Sequence, residues 1–145
     1  MQVMRSGSGV AQERRVLSAG TLIGDGIRNM QDEDLGKVEE IMLDLPSGRV
    51  AYVVVSFGGF LGIGNKLFAV PWDAFRLDTE RKVFVLDIDR QVLENAPGFD
   101  KDNWPDFADQ EWGSRIYSYY GYEPYWKRAG SDWDQGGTDM TGRRY

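Results

Sequence analysis

The stretch Arg49–Phe57, RVAYVVVSF, constrains the fold more than any other part of the chain. Ala51, Val53, Val55 and Phe57 fall on one alternate face, and Val50, Tyr52, Val54 and Ser56 on the other. A period of two with both faces mostly apolar describes a strand covered on both sides. Such a strand is central, and the rest of the chain has to supply its two covers. Downstream, a glycine-rich connection, GGFLGIGNK, leads into a second strand, Leu67–Pro71, closed by a corner at Trp72–Phe75.

The other elements follow from turn chemistry and apolar phase. Asp25-Gly26 marks a turn between short segments at Thr21–Gly24 and Gly26–Asn29, and Gln31–Asp34 forms a polar hairpin turn. In Leu35–Leu45 the alternation breaks: Val38 and Ile41 are three apart with Glu39-Glu40 between, while Ile41, Leu43 and Leu45 keep the inward phase. One extra residue that restores phase is a β-bulge, a feature of tightly curved sheets. Pro46-Ser47-Gly48 turns the chain into the central strand, and Thr79–Lys82 joins Arg76–Asp78 to Val83–Ile88 as a last hairpin. Six short strands with tight turns predict an all-β fold, a small six-stranded antiparallel barrel, because closure removes exposed strand edges.

A helical, aromatic stretch follows. Asp89 caps a short helix at Arg90–Asn95, stopped by Pro97-Gly98. Asp109 caps a longer one, Gln110–Tyr120, with Trp112, Ile116, Tyr119 and Tyr120 on one face and Gly121 as its stop. That face is expected to cover the outside of the barrel. The chain then divides into an N-terminal arm at 1–15, the barrel at 16–97, the extension packed on it at 98–126, and a polar tail at 127–145, both ends being expected to be flexible.

Charge and composition exclude several functions. Residues 1–15 hold three Arg and one acid, and 127–145 hold four bases and three acids. Of 17 bases and 23 acids this leaves 10 and 19 in residues 16–126, a net charge of −9. Such a surface repels phosphate backbones, so no nucleic-acid partner is expected. With no Cys and no His, disulfides, thiol nucleophiles and Cys/His zinc sites are absent. No apolar run approaches the ~20 residues of a membrane span and no secretory h-region is visible, so a cytoplasmic location without an integral membrane segment is expected.

Candidate sites are few. Gly59-x-x-x-x-Gly64-Asn65-Lys66 differs from a phosphate loop: Asn65 separates Gly from Lys, Leu67 replaces Ser or Thr, and a strand follows instead of a helix. It reads as a structural turn. The carboxylates Asp100, Asp102, Asp106 and Asp109, like Asp32-Glu33-Asp34, lack the Gly and terminal Glu of a calcium loop and read as solvated surface. Glu39-Glu40 reads as a bulge with one solvent-facing Glu, not as an acid–base pair. Trp104, Trp112, Tyr117, Tyr119, Tyr120 and Trp126 lack the basic groove of a stacking platform and read as packing aromatics. What remains is Phe60, Leu61 and Ile63 with Lys66, apolar for a loop. They form either a contact patch or a segment buried under the C-terminal extension.

The run Leu17–Ile88 resembles the PRC-barrel domain, named after the cytoplasmic domain of the photosynthetic reaction centre H subunit and related to a domain of ribosome-maturation factors. The residues that carry the resemblance are Leu22-Ile23-Gly24, Leu35–Ile41, Val53–Gly59, Lys66–Trp72 and Phe84–Asp87. Gly98–Lys101, Trp104-Pro105 and Tyr119–Gly121 are similar to the tail of stand-alone bacterial PRC-barrel proteins. The resemblance implies a six-stranded barrel used as an interaction or assembly platform. The sequence carries neither the membrane helix of the H subunit nor the second domain of the ribosome factors, so neither specific role is expected. The reading is a non-enzymatic protein–protein interaction module that self-associates as a dimer through Phe60, Leu61, Ile63 and Lys66, with no catalytic, metal or cofactor site. The alternative is a small-molecule or ion-binding stress or regulatory protein using the glycine-rich loop 58–66.

Overall fold

The computed structural model of the chain describes residues 16–57 and 66–127. Seven strands form one sheet: β1 Gly26–Arg28, β2 Asp34–Asp44, β3 Arg49–Ser56, β4 Lys66–Val70, β5 Phe75–Asp78, β6 Val83–Leu86 and β7 Phe99–Asp100. Their order is β5-β6-β1-β2-β3-β4-β7, which leaves β5 and β7 at the two ends and does not close. β3 is interior, as its two apolar faces require, and Tyr52 to Val55 are almost wholly buried. The expected six antiparallel strands differ from this in two ways. β1 and β6 pair in parallel, with Ile27 beside Phe84, and Phe99–Asp100 adds a seventh strand along β4. Every other pairing is antiparallel.

The bulge lies where the broken alternation puts it. Val38 pairs with Val55 and Glu40 with Val54, so Glu39 is the extra residue. A second irregularity was not foreseen: Met42 pairs with Tyr52 but Leu43 with Val50, so Ala51 drops out of register. A skipped residue shifts phase by one. Ala51 therefore packs with Tyr52, Ala69, Ile116 and Tyr117 outside the barrel, and not with Val53, Val55 and Phe57 inside it. Past the bulges, Leu43 is 52 % and Leu45 78 % exposed, so their expected inward phase does not hold. β2 extends beyond the barrel interior there. Gly36 bridges tightly elsewhere in β2: its φ is +122°, and a Cβ would sit 1.9 Å from the Ser56 carbonyl oxygen.

Two cores result. Inside the curled sheet, Ile27, Leu35, Val38, Val53, Val55, Phe68, Val70, Phe84 and Leu86 pack with Leu93 and Ala96. Among the described residues three α-helices flank the sheet: α1 Ala19–Leu22, α2 Arg90–Glu94 and α3 Gln110–Tyr120. Ala19–Leu22 turns helical instead of extending because the Ser18 hydroxyl accepts from the Thr21 N–H. At α2, Asp89 holds the N-cap position, yet its side chain makes no capping bond. α3 has the expected limits, with Asp109 accepting from the Glu111 and Trp112 N–H groups and Gly121 closing it at φ +85°.

α3 covers the outer face of β3 and β4 through Ile116 and Tyr117. Tyr117, not Tyr119, is the buried tyrosine of that face; Tyr119 is 38 % exposed and donates to the Val92 carbonyl of α2. Gly113 lets the helix come close, since a Cβ there would lie 2.4 Å from the Tyr52 hydroxyl oxygen. Tyr117 donates a 2.6 Å hydrogen bond to the Ala51 carbonyl, the residue that the bulge removes from the ladder. The helix thereby fastens to the irregular point of the central strand.

Candidate functional site

Because the sheet curls without closing, its β5 end returns to face the β2–β3 hairpin across a gap. That gap is an apolar groove of about 550 Å³. Its walls are Leu17 and Leu22 beside α1, Ile41 and Leu43 of β2, Val50 of β3, Trp72 of the turn after β4, and Phe75 and Leu77 of β5. Arg76 and Thr79 are its polar members. At the rim Val16, Leu17 and Leu43 are all exposed. Leu43 also lines a neighbouring recess of about 350 Å³ with Leu45, Phe107 and Trp126. The Leu43–Leu45 ridge thus stands between two apolar depressions, an arrangement suited to receiving another apolar surface.

The hairpin tip that carries this ridge is held by polar contacts. Ser47 donates its hydroxyl to Asp44 at 2.5 Å and accepts from the Arg49 N–H. Arg49 donates to the Tyr125 carbonyl at 2.7 Å and lies 5.5 Å from the centre of the Tyr125 ring. These charges are spent on structure. The groups whose titration the fold shifts do not line the groove. Partial burial raises Asp25, opposed by the nearby Lys82 charge. Burial raises Tyr52 and Tyr120 well above the ordinary tyrosine range, with smaller contributions from Tyr125 and Tyr119.

Phe60, Leu61 and Ile63 lie outside the described residues. Lys66 opens β4 half-buried and pairs in register with Asp100 of β7. It sits at the Phe57 end of the β3–β4 pair, whereas the groove opens at the Val50 end. Among the described residues no three acidic side chains converge as a metal site. Asp32 instead meets Arg28 at 3.2 Å and Arg81 at 3.1 Å, Asp109 caps α3, and Asp106 accepts from the Ala108 N–H. The bulge leaves Glu39 half-buried and Glu40 exposed. Of the aromatic set, Trp112 and Tyr117 pack edge-to-face against Tyr52 in the second core, and Trp104 reaches the surface through its contact with Phe107.

The groove residues Leu17, Leu43, Val50, Trp72 and Leu77 were not legible as a site. One signal was available: Ile41, Leu43 and Leu45 continue an apolar phase toward the hairpin tip, farther than a small barrel's interior extends.

The PRC-barrel domain model matches residues 15–93, more than half of the 145 residues. The chain belongs to the PRC-barrel domain family. No curated protein matches it. The PRC-barrel match runs from the groove's α1 wall through β1–β6 and most of α2, so every residue of the groove lies within the family domain. α3 and β7 lie beyond the match. Among the described residues no helix is long and apolar enough to cross a membrane.

Proposed function

We propose that this PRC-barrel protein is a non-enzymatic protein-interaction module that self-associates, with the groove between β5 and the β2–β3 hairpin as its binding face. The observation that carries the reading is an apolar groove rimmed by exposed Val16, Leu17 and Leu43. Apolar surface of that kind gains most from a protein partner, since burial contributes roughly 25 cal/mol per Å². Its polar members, Arg76 and Thr79, supply no paired acid and base for chemistry. The family's use as an assembly platform and the acidic, cysteine-free composition agree with a cytoplasmic interaction module.

The experiment is a single charge on the ridge. Leu43 is half exposed, so Leu43→Asp is expected to leave the melting temperature unchanged within a few degrees. Sedimentation velocity of the full chain should then show a lighter, unassociated species for the variant and a heavier one for the wild type. Equal sedimentation of the two, at any concentration where the wild type associates, removes the groove from the account.

A further inference from the structure

Charge in the groove runs against the trend of the chain. Residues 16–126 hold 10 bases and 19 acids, yet among the described residues that line the groove there is no carboxylate, and Arg76 is the one charged side chain. Arg76 is exposed. Arg28 and Arg81 meet Asp32, whereas among the described residues Arg76 pairs with no carboxylate. The innermost walls are apolar: Leu22 and Phe75 are buried, and Ile41 and Val50 line the same space. The volume of about 550 Å³ falls within the ~300–1,000 Å³ of small-molecule sites, which are mostly apolar with a few polar groups that fix orientation.

An apolar trough with one unpaired cation beside it is complementary to an alkyl chain that ends in one anion. From this we infer that the groove binds a free single-chain carboxylate, with its alkyl chain against Leu22, Ile41, Val50 and Phe75 and its carboxylate on the Arg76 guanidinium. The planar guanidinium offers paired N–H donors that match a carboxylate. An acidic surface repels small hydrated anions, so the site selects an anion that also brings apolar surface. Of the two contributions the chain is the larger, because an exposed ion pair is weak while burial of methylenes grows with their number. The inference goes beyond the self-association reading. The acid and a second copy compete for the same walls, so occupancy by the acid sets how much of the protein is free to associate.

The test titrates the full chain with octanoate, decanoate and dodecanoate by calorimetry, each below its micelle-forming concentration. Each acid should bind roughly fifteenfold more tightly than the one two methylenes shorter. Arg76→Gln changes an exposed side chain and should melt like the wild type. It should weaken decanoate about fivefold and leave decanol, the uncharged chain of the same length, unchanged. Trp72 lines the groove and reports the location. A dodecanoate brominated at its methyl end should quench tryptophan fluorescence in the wild type and lose that quenching in Trp72→Phe. Bound acid should also raise the melting temperature, the opposite of a denaturing surfactant.

Affinity that does not grow with chain length, equal losses of decanoate and decanol in Arg76→Gln, or quenching that survives Trp72→Phe overturns the assignment. Binding to vesicles of anionic lipid without binding of the free acids overturns it too, and would place the ligand in a membrane. Self-association is read separately, by sedimentation without ligand. A wild type that associates and is driven to monomer by saturating dodecanoate supports both readings. One that binds the acids as described yet stays associated keeps this assignment and removes the groove from the association.

Discussion

Two tyrosines in the second core make opposite predictions. Tyr117 donates its hydroxyl to the Ala51 carbonyl at 2.6 Å, and Ala51 stands outside the β2–β3 register and beyond the residues that pair with β4. Tyr52 is also almost wholly buried, but among the described residues its hydroxyl has no hydrogen-bond partner. Tyr117→Phe removes a donor and leaves a buried carbonyl unsatisfied, at a cost of about 1–3 kcal/mol. Tyr52→Phe removes a hydroxyl already desolvated without return, so it should be neutral or stabilise by up to about 1 kcal/mol. Ring volume is kept in both, so cavity effects cancel in the comparison. The assay is equilibrium urea unfolding at neutral pH and one fixed protein concentration, since association would otherwise shift the apparent stability. An unchanged slope with a lower midpoint for Tyr117→Phe, by roughly 4–8 °C in a parallel melt for a 2 kcal/mol loss, is the expected result. If Tyr52→Phe proves the costlier of the two, the account of how α3 is fastened to the bulge is wrong.

Gly36→Ala must overlap the Ser56 carbonyl oxygen at a φ of +122°, whereas Gly24→Ala, at φ +97°, meets nothing within 4 Å. The first should cost at least about 3 kcal/mol and the second only about 1 kcal/mol of backbone strain, and equal melting temperatures for the two would count against the β2–β3 geometry. Alkaline pH should also destabilise the fold. Burial raises Tyr52 and Tyr120, so their contribution is fully present below the ordinary tyrosine value of about 10 and is lost as pH rises past it toward the folded-state values. Urea unfolding from neutral to strongly alkaline pH should show a steeper loss for wild type than for Tyr52→Phe, Tyr120→Phe; identical profiles would refute the assignment. Val53→Asp places a charge at a position with no exposure and should cost several kcal/mol, enough to prevent recovery of soluble folded protein.

What was legible in the sequence follows the range of each interaction. The double-sided strand at Val53, the Glu39 bulge, both termini of α3 and the last hairpin depend on neighbours in the chain, so periodicity and capping residues reveal them. The parallel β1–β6 pairing joins Ile27 to Phe84, and no local pattern records a contact that distant. The slip at Ala51 was hidden because alanine tolerates either face; only the Tyr117 hydroxyl, 66 residues away, marks which side it takes. The exposure of Leu43 and Leu45 was misjudged because apolar phase reports which face a residue is on, not where the barrel ends. The groove was missed for the same reason: it exists because the sheet curls without closing, a property of the whole sheet and of no single segment.

The central claim is that the groove between β5 and the β2–β3 hairpin joins two copies of this chain. Sedimentation equilibrium of the unmodified full-length protein measures it most directly. The account predicts a mass that rises with concentration to twice the 16.5 kDa of one chain and no further. A mass that stays at 16.5 kDa up to about 100 μM would contradict it.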